Sequence, residues 1–275
     1  MKTELHIHTT FSDGALTPKE IVKEASAKGV RILSITDHDA IGAYHTALPE
    51  AEHVGISLVP GIELNTDGID GELHILGYCF DPQHPKMTEH IYWRTKQRNN
   101  WAAKIVSQLN DLGYAISLAD VRRHVPGDVI VRTHIAAELV RQGYFPTADD
   151  AYQALLKKGK PAFVERVAFS AEKAIQLVHE CGGKAFLAHP AIYRSSVPLQ
   201  RLLSYGLDGI EVYHSEHSDE DSVYWLEVTK QYGLLVSGGS DYHGTSARKK
   251  KEIAIGSVQL DTDSKNYWIK RAEES

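Results

Sequence analysis

The side chains that could do chemistry fall in a handful of short motifs. His6 and His8 stand two apart, so a strand there turns both imidazoles to one face. Asp13 follows in the turn Ser12-Asp13-Gly14, and His38 stands in Thr36-Asp37-His38-Asp39. Glu63 ends Pro60-Gly61-Ile62-Glu63, His74 interrupts an apolar run, and His189 stands in Ala188-His189-Pro190. His214 closes another apolar run, and Asp241 and His243 share Ser240-Asp241-Tyr242-His243. Histidine, with 15 copies in 275 residues, is the unusual feature of the composition, because imidazole is the commonest metal ligand and the usual acid–base group near neutral pH. Imidazole and carboxylate without thiolate suit Zn, Mn or Fe, and these groups outnumber the coordination positions of one ion. Several metals are therefore expected. Taken singly, His74 suits a hydrogen-bonded core histidine and Asp13 suits plain turn chemistry. Gathered at strand ends in one chain, they point to a shared centre.

The elements that must position them follow from the apolar pattern. Runs at 31–35, 56–60, 73–78, 184–188, 209–213 and 234–237 have strand length and are bounded by Gly, Pro, Asp or His. Helical patterns at 18–28, 170–181 and 218–232 lie between several of them. The first opens on Thr17 with Glu20 as a capping box and closes on Gly29, the second is capped by Ser170, and the third ends at Gly233. Alternation of this kind predicts a parallel sheet or barrel. The candidate ligands then fall at the carboxyl ends of strands, with Glu63 ending the third, where a βα barrel builds its active site. Residues 87–160 contain no strand pattern. Trp101, Ile105, Leu109 and Leu112 stand at helical spacing, followed by helical patterns at 118–124, 133–142 and 149–157, which predicts a helical insertion. The chain thus divides into 1–86 and 161–275 as two parts of one barrel, with 87–160 inserted. His45, His53, His84, His90, His124, His179 and His217 fall on helices or loops without such partners and are assigned surface or capping roles.

Composition sets limits on partners. Lys plus Arg number 30 against 36 Asp plus Glu, a net charge of −6, which excludes a strongly basic nucleic-acid-binding domain. Hydrophobic residues make up 42% and charged residues 24%, the balance of a folded globular chain. No apolar run approaches a membrane span and no leader pattern precedes Leu5, so a cytoplasmic protein without a membrane partner is expected. Cys79 and Cys181 stand alone and read as buried thiols. Lys249-Lys250-Lys251 reads as a solvated loop, and nothing points to an obligate protein partner.

Taken together, the motifs resemble the PHP family, the polymerase and histidinol phosphatase superfamily of metal-dependent phosphoesterases. They are HIHTTFSDG at 6–14, TDHD at 36–39, PGIE at 60–63, LAHP at 187–190, IEVYHSEHS at 210–218 and GGSDYHG at 238–244. The insertion with RTHIA at 132–136 is similar to the branch acting on nucleoside 3′,5′-bisphosphates and on short RNA from the 5′ end. The resemblance implies an α/β fold, a distorted seven-stranded βα (TIM-like) barrel, carrying three divalent transition metal ions. It implies His6, His8 and Asp241 with Glu63 for the first ion, and His74 and His189 with Glu63 bridging for the second. Asp13, His38 and His243 would hold the third. Arg132 and His134 would reach the substrate phosphate, and Asp39, His214 or a metal-bound water would protonate the leaving group. The Gly-Arg pair usual after AHP is replaced here by Ala191-Ile192, with Arg194 displaced. The implied activity is hydrolysis of nucleotide phosphate monoesters, the 3′-phosphate of nucleoside 3′,5′-bisphosphates or short RNA, by metal-activated hydroxide. A histidinol-phosphate or other small-metabolite phosphatase is the alternative. A non-catalytic metal-binding module is the alternative of another class, against which the complete set of ligand positions argues.

Overall fold

The computed structural model describes residues 2–125, 129–193, 197–244 and 253–274; Arg194 and the Lys249-Lys250-Lys251 run lie outside them. The chain opens with β1 (Lys2–Glu4), α1 (Pro18–Ala27), β2 (Val30–Leu33), α2 (Gly42–Val54) and β3 (Ser57–Leu58). Thr17 caps α1, its hydroxyl accepting from the Glu20 amide while the Glu20 carboxylate accepts from the Thr17 amide. β4 (Gly61–Thr66) and β5 (Leu73–Tyr78) come next, then α3 (Pro85–Asp111), α4 (Leu118–Arg123), α5 (Arg132–Arg141) and α6 (Ala148–Ala151), which runs on as a π-helical turn at Tyr152–Leu156. α7 (Ala171–Glu180), β6 (Lys184–Leu187), a 3₁₀ turn at Pro190–Ile192 and α8 (Leu199–Ser204) lead to β7 (Gly209–His214), α9 (Asp219–Tyr232), β8 (Leu235–Gly239) and α10 (Thr262–Glu274).

The strands form two sheets in the orders β1-β2-β3 and β4-β5-β6-β7-β8. All neighbours run parallel except β5, which is antiparallel to both β4 and β6. The expected strict alternation fails here because residues 67–72 alone join β4 to β5, too few for a helical crossover, so the two form a hairpin. Among the described residues the sheets are not closed into one another by ladders; isolated parallel bridges, Ile7 with Tyr242 and His38 with Glu63, lie across the gaps. Pro60-Gly61 begins a strand instead of ending one, so Glu63 lies inside β4. The segment carrying His6 and His8 continues beyond β1, yet both side chains stay buried on one face, their rings 5.3 Å apart.

Between 101 and 162 a separate apolar cluster gathers Trp101, Ile105, Leu109, Ile135, Leu139 and Leu155. Leu112, the next position of the predicted stripe, is exposed. The first part of α3 belongs elsewhere: Met87 packs in the cluster of β4, β5 and α7. No described helix is long and apolar enough to cross a membrane. Cys181 is buried and Cys79 half-buried. His84 caps α3 and His179 pairs with Asp208 at 2.6 Å, as capping and surface roles require. His90 departs from that assignment: its ring packs at a tilt against Phe169, centroids 4.4 Å apart, and burial pushes its imidazole down to about 4.

Candidate metal centre

Glu63 is the hub. Its Oε1 lies 2.7 Å from His74 Nδ1 and 3.2 Å from His189 Nε2. Its Oε2 lies 2.9 Å from His38 Nδ1, 3.2 Å from His8 Nε2 and 3.4 Å from His6 Nε2. Asp241 Oδ1 faces His8 Nε2 at 3.1 Å, His243 Nδ1 at 3.4 Å and His6 Nε2 at 3.5 Å. Asp13 Oδ1 faces His243 Nε2 at 3.3 Å, His8 Nδ1 at 3.8 Å and His38 Nε2 at 4.0 Å. Every residue named from the sequence as a ligand is therefore in one cluster. The close groupings cut across the expected sets in two places, since His8 joins Asp13, His38 and His243, and His38 also joins Glu63 and His74.

Whether this cluster fits cations is decided by its unpaired atoms. His6 Nε2, His8 Nε2, Asp13 Oδ1 and Glu63 Oε2 are buried without a hydrogen-bond partner. A buried polar atom left unmet costs about 1–3 kcal/mol, so several converging on one place suit a ligand that they all coordinate. The donor set, imidazole and carboxylate, is that of divalent transition metals. Burial opposes ionisation of Glu63, but His38, His74 and His6 hold its carboxyl well below the usual range. Burial likewise opposes ionised Asp241, and His243 and His6 keep it ionised. Burial favours a neutral His8, yet the Asp241 and Glu63 carboxylates facing its Nε2 lift it to about 10. Cations bound here would displace such imidazole protons.

Close backbone approach brings these ends together. A Cβ at Gly239 would lie 2.3 Å from the His6 nitrogen, and one at Gly14 would lie 2.3 Å from the His8 carbonyl oxygen, so only glycine fits either place. Asp39, His189 and Asp241 have φ of 50°, 28° and 52°, a left-handed backbone that non-glycine residues rarely adopt. Strain of this kind concentrates where side chains are aimed for function.

Three buried carboxylates escaped the sequence reading. Asp37 accepts from the Thr9 amide at 2.8 Å and from the Thr9 hydroxyl at 2.6 Å, and Ser12 also donates to it, so it shapes the turn that carries Asp13. Glu4 accepts from the Ser240 and Gly256 amides, both at 2.8 Å, fixing the residue before Asp241. Glu211 accepts from His6 Nδ1 and from the His189 amide. A lone acidic residue inside an apolar strand run was the available signal. Glu211 in Gly209–His214 carries it, whereas Glu63 was read as a strand end.

Of the two proton-donor candidates, only His214 faces the cluster. Its Nδ1 accepts from the Glu216 amide at 3.1 Å, which leaves the ring proton on Nε2, 3.5 Å from Asp241 Oδ2. Asp39 is turned away into a buried ion pair with Arg94 and Arg98. Burial opposes its ionisation, but Arg98 and Arg94 hold its carboxyl well below the usual range, so it has no proton to give. Arg132 and His134 reach different places. Arg132 lies between the rings of Trp101 and Phe163, at 5.2 and 4.9 Å, and lines a cavity of about 240 Å³ with Lys158, Arg166, Asp67 and Glu72. His134 accepts from the Val131 amide at 3.3 Å, and burial lowers its pKa against the pull of Asp13. Arg166 was not read from the sequence; it donates to Asn65 Oδ1, and Asn65 in turn contacts His38.

The family model described as the PHP domain matches residues 4–157. The 5′-3′ exoribonuclease Rnm of Escherichia coli K12 is 35% identical over 247 residues, covering 87% of this chain and 84% of that protein. A 3′,5′-nucleoside bisphosphate phosphatase of Chromobacterium violaceum is 32% identical over 246 residues, covering 87% and 86%. A solved structure from Bifidobacterium adolescentis, assigned as a metal-dependent phosphoesterase, superposes with a TM-score of 0.85 at 28% identity, covering 98% of this chain and 95% of that one.

Proposed function

Because the chain belongs to the PHP domain family, we propose that it is a metal-dependent phosphoesterase that removes the 3′-phosphate of nucleoside 3′,5′-bisphosphates. The carrying observation is the convergence of Glu63, two further carboxylates and six imidazoles around buried atoms that have no other partner. In this reading His6, His8, Asp241 and Glu63 hold one ion, Glu63, His74 and His189 a second, and Asp13, His38 and His243 a third, each of them Zn, Mn or Fe. The ions supply Lewis acidity and an acidified water. Glu63, kept ionised by its histidines, holds charge between the two groups of ligands that its oxygens face. The Nε2 proton of His214, fixed by the Glu216 amide, is the donor to the leaving oxygen.

We read the two sheets and the bridges across their gaps as a distorted barrel, with 1–86 and 161–275 forming it and 87–160 as a substrate arm. The cavity lined by Arg132, Arg166 and Lys158 suits the second phosphate, since guanidinium groups bind phosphate oxygens bidentately. Short RNA carrying a 5′-phosphate presents the same anion and is the second substrate of this reading.

The test is phosphate release by metal-analysed protein on adenosine 3′,5′-bisphosphate, 3′-AMP, histidinol phosphate and a 5′-phosphorylated oligoribonucleotide. The bisphosphate should give the highest kcat/KM, from protein carrying at least two metal equivalents. Faster turnover of histidinol phosphate would transfer the protein to the small-metabolite alternative, and metal-loaded protein inert on all four would make it a binding module.

A further inference from the structure

Behind the cluster, on the side away from its open atoms, Glu211 sits fully buried in β7. His6 Nδ1 lies 2.9 Å from its Oε1 and 3.1 Å from its Oε2, and the same Oε2 accepts from the His189 amide at 2.8 Å. These partners come from opposite sides of the hub: His6 Nε2 faces Glu63 Oε2 at 3.4 Å and His189 Nε2 faces Glu63 Oε1 at 3.2 Å. Glu211 thus holds from behind one member of each group that Glu63 touches from the front.

We propose that Glu211 is a positioning residue that sets the tautomer of His6 and the backbone of His189, and so aligns the two ligand groups bridged by Glu63; this rests on the metal-centre reading above. A carboxylate is acceptor-only, so a hydrogen bond to His6 Nδ1 requires the ring proton there and leaves the lone pair on Nε2, the atom that faces the cluster. The second contact acts on main chain. His189 has φ 28° and ψ 56°, and the bond from its amide to a carboxylate holds a conformation that a non-glycine residue rarely adopts. His214 stands close enough to His6 and Glu211 for the three to present ligand atoms within 4.8 Å of one another. Direct ligation by Glu211 is thereby the competing role, and it needs a different His6 tautomer or a broken His6 contact.

Glu211→Gln tests this with volume preserved. Its amide either offers an N–H to His6 Nδ1, driving the proton to Nε2, or turns that N–H against the His189 amide. Zinc affinity is read by chelator competition on wild type, Glu211→Gln and Glu211→Asp, with metal-free thermal unfolding alongside and ¹⁵N-histidine spectra of zinc-loaded wild type. The expected result is a loss of about 10–100-fold in zinc affinity in Glu211→Gln, the range for outer partners of ligating histidines, with part of it recovered in Glu211→Asp. Wild-type His6 should show Nδ1–H with Nε2 metallated. Unchanged zinc affinity with lowered metal-free stability would reduce Glu211 to a structural role and overturn the proposal. Metallation of His6 at Nδ1 would overturn it from wild type alone, even if neither variant folds. Wild type binding less than one zinc would instead sink the metal-centre reading, a separate failure.

Discussion

His38 and Asp39 are neighbours in sequence, yet their side chains enter two buried ionic clusters of opposite character. His38 joins Glu63 and the histidine group, where the Nε2 atoms of His6 and His8 and one oxygen each of Glu63 and Asp13 have no hydrogen-bond partner. Asp39 joins a closed set: Oδ1 accepts from the Asn65 amide at 3.2 Å, and Oδ2 from Arg94 Nε at 3.1 Å and Arg98 Nε at 3.0 Å. Arg94 also donates from Nη2 to the Asn65 carbonyl at 2.6 Å and from Nη1 to the Val167 carbonyl at 3.3 Å. The difference is one of satisfaction, since both are buried and both are charged. A cluster whose charges answer one another is part of the fold, whereas one whose lone pairs converge without donors suits a cation from outside. Asn65 touches both, its side-chain nitrogen 3.0 Å from His38 Nδ1 and its backbone in the Asp39 network.

Breaking the open cluster should abolish turnover and leave the fold standing. Chelation followed by buffer exchange should remove activity essentially completely, with return on adding Zn, Mn or Fe, while far-UV circular dichroism stays unchanged; activity that survives with under one metal equivalent by elemental analysis would contradict the centre. Glu63→Gln keeps the volume and removes the charge that faces both ligand groups. It should lower kcat/KM on the order of 10³-fold or more. A variant retaining near-normal turnover would show that Glu63 is not the hub.

The closed cluster should respond the other way. Asp39→Asn leaves Arg94 and Arg98 buried without their anion, which destabilises by about 3–5 kcal/mol. Denaturant unfolding should record that loss, while metal content per folded chain stays at the wild-type value. Loss of bound metal with unchanged stability would erase the distinction between the clusters and return Asp39 to the reaction.

That distinction was beyond sequence reading, and the reason is geometric. His6 and His8 are legible because a two-residue period shows which side chains share a face, and the capped helices because Thr17, Ser170 and Gly233 act on their neighbours alone. Asp39 follows the same strand end as His38, but its φ of 50° swings it toward arginines on α3, 55 and 59 positions away. No local pattern carries a pairing at that separation. The helices of 87–160 were legible from their 3.6-residue period, whereas the docking of α3 through Arg94 and Arg98 was not. Pro60-Gly61 was read as a strand end on turn propensity, and the tertiary pairing of β4 with β5 overrode it.

The smallest effect lies at the cavity lined by Arg132. A phosphate held by the metal centre alone would be recognised in any monoester, so discrimination between one phosphate and two needs a separate cationic fork. Arg132 has the features of one: its guanidinium is held between Trp101 and Phe163, its Nε is buried without a partner, and Lys158 and Arg166 share its cavity. Asp67 and Glu72 in the same lining temper that charge, and Arg166 is paired with Asp67 at 3.2 Å, whereas the Arg132 Nε has no partner and its Nη2 donates to the Val164 carbonyl at 3.4 Å. Arg132→Ala should therefore lower the preference for adenosine 3′,5′-bisphosphate over 3′-AMP by about 10–100-fold, the loss of one charge-assisted contact of about 1.5–3 kcal/mol. Comparing two substrates within one variant cancels any loss of packing against the two rings. Arg132→Lys should recover little of the preference, because an ammonium lacks the planar pair of donors. If wild type hydrolyses the two nucleotides with equal kcat/KM, the cavity is not a second phosphate site and the unpaired Nε of Arg132 belongs to the packing of residues 87–160.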